Sequence, residues 1–164
     1  MKKLSFVIIA TSLLLSCSKG HEPTPNEEEE FCSGEIDLSE GQFPQTWKLV
    51  KMTGGMINSE TTGVDMAWQE VIVLNSGGAF TKTRKRDNVM TEASGTYKFE
   101  RSLGGDPAYI GLILTYSSES ELIGSCQSIL RQETYMLKSK CKLTGTWSAC
   151  DGPGLEYTRQ VFFD

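Results

Sequence analysis

The chain has 164 residues, with 16 Lys and Arg against 21 Asp and Glu, which gives a formal net charge of −5 at pH 7. An acidic chain of this kind is a poor nucleic-acid binder, because contacts to phosphates need a basic surface. The length suits a single domain with a sizeable apolar core.

The N-terminal segment has the features of an export signal. Lys2 and Lys3 precede residues 4–15, which carry no charge and are mostly apolar. About a dozen apolar residues is too short for a hydrocarbon core of ~30 Å, so the run indicates a secretory signal and not a membrane helix. The run ends in Leu14-Leu15-Ser16-Cys17, which resembles the lipobox of bacterial lipoproteins.

This resemblance makes Cys17 the expected lipidation site and residues 1–16 the signal peptide removed before it. Several acyl chains, at ~0.8 kcal/mol per buried CH₂, give stable attachment to a membrane. Ser18 follows the cysteine, and by the same resemblance the lack of Asp there favours the outer membrane, facing the periplasm or the cell surface. The alternative is an ordinary signal peptide with an incidental cysteine.

Residues 17–30 are predicted to be an acidic tether in front of a domain at 31–164. Removing 1–16 takes away two Lys, so 14 basic residues face 21 acidic ones and the net charge becomes −7. With five Glu and almost nothing apolar, the tether cannot bury enough surface to become ordered. It is interpreted as a spacer; the alternative is that Glu27-Glu28-Glu29-Glu30 resembles a surface-export signal.

The pattern from Trp47 onward is typical of β-strands. Short runs rich in Val, Ile, Thr, Tyr and Phe alternate with Gly, Asn, Asp and Pro at a spacing of ~8–12 residues. A helical turn is also expected near 65–69. The predicted strands are 46–52, 68–74, 79–86, 95–100, 109–116, 128–138, 142–148 and 157–163. About eight consecutive antiparallel strands predict an all-β up-and-down barrel, which closes the sheet and removes its edges.

Four cysteines remain for the folded domain after Cys17 is lipidated: Cys32, Cys126, Cys141 and Cys150. An even number in an exported protein predicts disulfides. A zinc site is disfavoured, because the chain has no Cys-x-x-Cys pair and its one histidine, His21, lies in the tether.

The expected hairpin of strands 128–138 and 142–148 decides between the possible disulfide pairings. Its register places Cys150 close to Cys126, just outside the ladder. The prediction is therefore Cys126–Cys150, which leaves Cys32 with Cys141. The alternative is Cys141–Cys150, which would staple the last hairpin.

No catalytic constellation is found in the sequence. Ser-His-Asp and Cys-His sites need a histidine, and the predicted domain has none. Glycine pairs such as Gly54-Gly55 lack a strand–loop–helix context and are predicted to be turns. Carboxylates such as Glu70, Glu92, Glu119 and Glu121 are expected on the wet face of the barrel. The chain is therefore predicted not to be an enzyme and to need no cofactor or metal.

Lys82, Arg84, Lys85 and Arg86 form one basic cluster. Residues 82, 84 and 86 share one face of a strand, which is interpreted as a solvated outer face. The alternative is a patch for an anionic glycan or lipid headgroup. Phe80 shares this parity and is expected inside the barrel, so a bulge or twist between 80 and 82 would be required.

Two motifs resemble bacterial lipocalin-like lipoproteins: Trp47-Lys48-Leu49-Val50, and the run Cys-Asp-Gly-Pro-Gly-Leu-Glu-Tyr-Thr-Arg at 150–159. The likeness covers roughly residues 43–163, although Gln45 stands where this family usually has glycine. It implies a calycin-type barrel without catalytic residues, whose mouth holds a small apolar or amphipathic molecule. The expected lining includes Trp47, Tyr97 and Leu114.

Two other functions are considered: a protein–protein module, such as an inhibitor of a lysozyme-type hydrolase, and a purely structural envelope protein. An internal cavity of ~300 Å³ or more would favour ligand binding. A barrel packed with side chains, with exposed apolar residues such as Met56 and Ile57, would favour protein binding.

Trp47 and Arg159 are expected to mark the closure of the barrel. Closing an antiparallel barrel pairs its first and last strands, and in calycin barrels a basic residue of the last strand lies across the first-strand tryptophan. Arg159 is therefore predicted to stack on Trp47 with a gain of about 0.5–2 kcal/mol, and to donate to carbonyls near Phe43. Arg159→Ala is then expected to cost at least ~1 kcal/mol more than Arg84→Ala. The alternative is an exposed Arg on an edge strand.

Overall fold

The computed structural model describes residues 24–101, 109–126 and 130–161. The predictions for the signal peptide, for Cys17 and for His21 lie outside these ranges, as do the expected turn at 103–107 and the expected strand end at Phe163. In the described ranges, no helix has the length and apolar character needed to cross a membrane.

An antiparallel barrel forms the body of the domain. Its strands are β1 (Gln45–Thr53), β2 (Thr61–Thr62), β3 (Gln69–Leu74), β4 (Ala79–Arg86), β5 (Val89–Arg101), β6 (Ile110–Tyr116), β7 (Gln132–Ser139), β8 (Lys142–Gly145) and β9 (Gly154–Gln160). Each strand pairs with the next along the chain, except that the short β2 is an extra strand beside β1. Pairing of β1 with β9 closes an eight-stranded barrel, so the predicted architecture is confirmed.

Several element ends differ from the predicted ones because turn chemistry decides them. β5 begins at Val89, six residues earlier than expected, directly after a two-residue turn. Asp87 and Asn88 form this turn with φ of 50° and 64°, which suits a tight hairpin. The expected helical turn at 65–69 is a 3₁₀ turn at Gly63–Asp65, and Trp147–Cys150 is a 3₁₀ turn where a strand was predicted to continue.

The two ends of the barrel are built differently. We call the end where β1 begins and β9 finishes the helix end, because the helix α1 (Pro25–Ser33) is attached there. At the opposite loop end, the strands are joined by residues 54–68, 87–88, 117–131 and 146–153.

Helix α1 overlaps the predicted tether, so the expectation that residues up to Glu30 are unordered is wrong. Pro25 occupies the first turn, and the Glu27 carboxylate accepts a hydrogen bond of 2.9 Å from the Thr24 backbone N–H. Both features favour a helix N-terminus. The predicted boundary between tether and domain, at residue 31, therefore falls inside a helix.

Two disulfides fasten the two ends of the barrel. Cys32 of α1 is joined to Cys141 at the helix end, with 5.2 Å between the Cα atoms. Cys126 is joined to Cys150 at the loop end, with 5.7 Å between the Cα atoms. This is the predicted pairing, and the alternative Cys141–Cys150 is excluded.

Inward-facing side chains fill the barrel in two chemically distinct regions. Its middle and helix end are mainly apolar, with Trp47, Leu49, Ile72, Leu74, Phe80, Leu112, Leu114, Leu137 and Leu143 buried. Near the loop end, charged side chains take the inward positions of β3, β4 and β7.

Candidate functional site

Four charged side chains form a network inside the barrel at its loop end. We call Glu70 of β3, Lys82 and Arg84 of β4, and Glu133 of β7 the charged network. Lys82 is 0% exposed, and both carboxylates are about as completely buried. The two positive and two negative charges cancel, as a water-excluded group requires.

Lys82 is at the centre of the charged network. Its Nζ lies 3.0 Å from Glu70 Oε1 and 2.9 Å from both carboxylate oxygens of Glu133. It also donates to the Leu122 carbonyl and the Tyr135 hydroxyl, each at 3.1 Å. The ammonium group therefore links three strands of the barrel to the loop that covers them.

Each carboxylate is also held by neutral or cationic donors. Glu70 accepts from Arg84 Nε at 2.6 Å and from the Tyr157 hydroxyl. Glu133 accepts from the Tyr116 hydroxyl, from the Tyr135 hydroxyl at 3.1 Å and from the Gly124 backbone N–H at 2.6 Å. These bonds satisfy the buried carboxylate oxygens.

The surroundings fix the protonation of these groups. Burial alone would raise the pKa of Glu70, but attraction to Lys82 and Arg84 and the hydrogen bonds it accepts outweigh burial and lower that pKa. Burial, reinforced by the nearby carboxylates, raises the pKa of the Tyr116, Tyr135 and Tyr157 hydroxyls far above their usual range. The three hydroxyls therefore stay neutral and act as donors.

The prediction of a solvated basic face at Lys82 and Arg84 is wrong. β4 pairs with β3 without a register shift, and Phe80, Lys82 and Arg84 lie opposite three inward positions of β3. All three face the interior, and no bulge separates them. Lys85 and Arg86 are the exposed members of the basic cluster.

Two further expectations change with Lys82 and Arg84. Glu70 was expected on the wet face and is instead buried against both cations. Arg84 was expected to be exposed, and Arg159→Ala was therefore expected to cost more stability than Arg84→Ala. Because Arg84 is bonded to the buried Glu70, that expected order no longer follows.

A segment of the β6–β7 connection, residues 117–126, covers the charged network; we call it the lid. Arg84 donates to the Glu121 and Leu122 carbonyls at 3.4 Å, and the Leu122 side chain is fully buried. A Cβ at Gly124 would approach the Trp147 ring to 2.5 Å, so glycine permits this close contact. The disulfide at Cys126 fixes the end of the lid.

Trp68 borders the charged network on the other side. The Arg84 guanidinium lies 4.4 Å from the centre of its ring, and that of Arg86 lies 5.9 Å away. The Trp68 indole N–H is buried and has no hydrogen-bond acceptor. Trp68 and the lid together separate the charged network from solvent.

At the helix end, β1 and β9 pair so that Trp47 lies opposite Arg159, and both are buried. The guanidinium lies over the ring of Phe31, 5.2 Å from its centre, and not over Trp47 as predicted. It donates to the Gln42 carbonyl at 3.0 Å, next to Phe43 as expected. Gln45, at the position where glycine is usual, accepts from the Trp47 indole N–H at 3.2 Å.

The three expected ligand-lining residues belong to the apolar core. Trp47 and Leu114 are buried by protein side chains. Tyr97 is half-buried; its ring lies beside those of Phe43 and Phe99, and its hydroxyl donates to the Asn75 carbonyl at 2.8 Å.

The loop end also carries most of the exposed apolar side chains of the described ranges. Met56 is 81% exposed, Ile57 93% and Val64 96%. Val89, Met90 and Leu130 are exposed at the same end. Exposed apolar side chains that form a contiguous patch are typical of a contact surface.

Comparison with protein-family models, curated proteins and solved structures found no match. In the described ranges, no group of three or more His, Cys, Asp and Glu side chains is arranged to hold a metal ion.

Proposed function

We propose that this domain is a protein-binding module of the bacterial cell envelope, attached to the outer membrane through lipidated Cys17. The observation that carries the proposal is the charged network under its lid, which occupies the loop end of the barrel. A carrier of small apolar molecules needs an open, mainly apolar cavity there.

Ligand entry at the loop end would carry a high energetic cost. An incoming molecule would have to separate Lys82 from Glu70 or Glu133, and an uncompensated buried charge costs several kcal/mol. The lid would also have to move, although Leu122 is buried beneath it and the Cys126 disulfide fastens it. The interior is therefore better suited to holding the barrel rigid than to taking up and releasing a ligand.

The exposed surface gives the second line of support. Met56, Ile57 and Val64 are almost entirely in water. A rigid barrel that presents apolar side chains on loops has the build of a protein-recognition scaffold. This role includes two functions: inhibition of a lysozyme-type hydrolase, and a structural function in the envelope.

The proposal assigns no catalysis to the domain. Glu70 and Glu133 are the two buried carboxylates of the described ranges, and both lie behind the lid. A substrate in solution does not reach them, whereas general acid–base catalysis needs direct hydrogen-bond contact.

Native mass spectrometry and cross-linking test the proposal together. The delipidated protein, purified from its own membranes, is expected to carry no small molecule, and chemical cross-linking in intact cells is expected to give discrete adducts with other proteins. Leu114→Ala supplies the sensitivity control, because removing this buried side chain leaves a cavity that takes up a small apolar probe. A small molecule retained in fixed proportion by the unaltered protein, with no protein adduct, would contradict the proposal.

A further inference from the structure

Residues 54–60, between β1 and β2, form what we call the apolar loop. The loop has its own framework: the Gly54 backbone N–H donates to Ser59 Oγ at 2.9 Å, and that hydroxyl donates to the Met56 carbonyl at 2.6 Å. The Ser59 backbone N–H donates to the same carbonyl at 3.3 Å. Asn58 completes the turn with φ of 63°.

This framework holds two large apolar side chains away from the barrel. Met56 and Ile57 lie at the tip of the apolar loop, and Val64 is exposed in the 3₁₀ turn that follows β2. Because the loop is already ordered by its own hydrogen bonds, binding through it costs little conformational entropy. Adjacent protruding apolar side chains fit a recess in a partner.

The charge around the apolar loop indicates the kind of partner. The connecting segments of the loop end contain six acidic residues and one basic residue: Glu60, Asp65, Asp87, Glu119, Glu121 and Asp151 against Arg131. Lys85 and Arg86 at the end of β4 reduce the excess to three negative charges. An acidic margin around an apolar centre favours a partner surface with the opposite charge.

The position of the loop end argues against the anchoring membrane as the occupant. The chain enters the barrel from α1, which Cys32 fastens to the helix end, so the apolar loop lies at the opposite end from α1. Its acidic margin would also be repelled by anionic lipid headgroups.

We infer that the apolar loop is the element with which this domain binds its partner, and that the partner is a protein with an apolar recess bordered by basic side chains. This inference rests on the proposed function and adds the binding element and the chemistry of the partner.

Site-specific photo-cross-linking in intact cells tests the inference. A benzoylphenylalanine residue replaces Ile57 in one full-length variant and Lys98 in another, since Lys98 is an exposed outward residue in the body of β5. The expected result is a discrete protein adduct from position 57 and none from position 98. An adduct with lipid alone, or equal adducts from both positions, would overturn the inference.

The captured protein is then purified and its affinity measured. Met56→Ser/Ile57→Ser is expected to weaken binding at least about tenfold, because protruding apolar side chains in a recess act as hot spots. Glu60→Gln/Asp65→Asn is expected to weaken it about threefold, mainly through slower association at low salt. Tyr109→Ser, at the helix end, and Glu28→Gln/Glu29→Gln, in α1, are the apolar and acidic controls and are expected to change affinity less than about twofold.

Failure of this inference is distinguishable from failure of the proposed function. Protein adducts from position 98 but not from position 57 would exclude the apolar loop and leave the domain a protein-binding module. If high salt does not affect the binding of a captured partner, the inference that basic side chains border its recess would be overturned. No protein adduct from any position, with a small molecule retained in the barrel, would overturn both.

Discussion

The two ends of this barrel both bury a cation, but they compensate it in different ways. At the loop end, Lys82 lies between the carboxylates of Glu70 and Glu133. At the helix end, Arg159 donates to a backbone carbonyl and lies over the ring of Phe31. Burial lowers the pKa of Arg159, while the negative charge of Asp37 acts in the opposite direction.

At the loop end, the barrel strands themselves supply the groups that compensate the buried cation. At the helix end, a helix outside the barrel supplies one of them. The carboxylates that neutralise Lys82 come from β3 and β7, so the barrel strands contain both signs of charge. The ring that covers Arg159 comes from α1, which precedes the barrel and is held by a disulfide. We therefore expect the helix end to depend on α1 and the loop end to depend on charge balance.

The largest expected effect is the loss of the disulfide at the helix end. Cys32→Ser/Cys141→Ser opens a loop with a sequence separation of 109, and Cys126→Ser/Cys150→Ser opens one of 24. From loop-closure entropy, we expect losses of about 5 and about 3.5 kcal/mol in the free energy of unfolding, respectively. Urea unfolding measures both. A smaller loss from the helix-end pair would show that α1 is dispensable.

Lys82→Met is the sharpest test of the loop end. It leaves two buried carboxylates with Arg84 as their one remaining cation, and we expect a loss of about 3–5 kcal/mol in the free energy of unfolding. Lys85→Met, three residues away and exposed, is the matched control, with an expected change within about 0.5 kcal/mol. Chemical denaturation of the two variants at pH 7 gives the comparison.

A second variant separates charge imbalance from simple loss of contacts. In Lys82→Met/Glu133→Gln the number of buried charges falls by one of each sign. Glu70 keeps its bond of 2.6 Å to Arg84. The double variant is expected to be more stable than Lys82→Met alone. If it is less stable, the charged network stabilises the fold by packing and not by charge balance.

The architecture could be predicted from the sequence because each strand leaves a pattern in its own residues. Period-two alternation and turn residues define most strands, and consecutive antiparallel strands pair with their neighbours. The same register arithmetic gave Cys126–Cys150. The start of β5 was missed because Val89 and Met90 are exposed and carry no alternating signal.

The charged network was missed although the sequence contains a signal for it. Lys82 shares the parity of Phe80, and Glu70 that of Ile72 and Leu74. Charge suggests exposure to solvent, whereas the parity correctly places Lys82 and Glu70 inside the barrel. The sequence does not reveal which carboxylate pairs with Lys82. Glu133 is 51 residues from Lys82 along the chain, and the two side chains meet only because the barrel closes. Similarly, α1 is stabilised by distant groups such as Lys140 and Arg159.

The pH dependence of stability is expected to arise mainly from the loop end. The pKa of Glu70 is lowered from its usual 4.5, so its ionised form stabilises the folded chain above that pH, and this contribution is lost as the pH falls through the folded-state pKa. The pKa of Tyr157 is raised from 10.0, so its contribution is present below pH 10.0 and is lost as the pH rises further. Unfolding measured from acid to alkaline pH should show both losses.

Two variants assign the two arms of this profile. Glu70→Gln should flatten the acid arm, because its side chain has no proton to gain there. Tyr157→Phe should reduce the alkaline arm, to which Tyr116 and Tyr135 also contribute. Asp37→Asn is the control at the helix end: Asp37 is exposed, and the variant should leave the alkaline arm unchanged. An acid arm that persists in Glu70→Gln would assign it to carboxylates other than Glu70.

The smallest expected effect distinguishes the observed from the predicted environment of Arg159. A double-mutant cycle of Arg159→Met with Phe31→Leu should give a coupling energy of about 0.5–1 kcal/mol, since a cation over an aromatic ring contributes in that range. A parallel cycle of Arg159→Met with Trp47→Phe should give less than about 0.3 kcal/mol, because Trp47 donates to Gln45 and its ring does not lie under the guanidinium. Unfolding of each single and double variant supplies both cycles. The reverse order would mean that closure of the barrel uses the tryptophan of β1, and the helix end would then no longer depend on α1 for its cation.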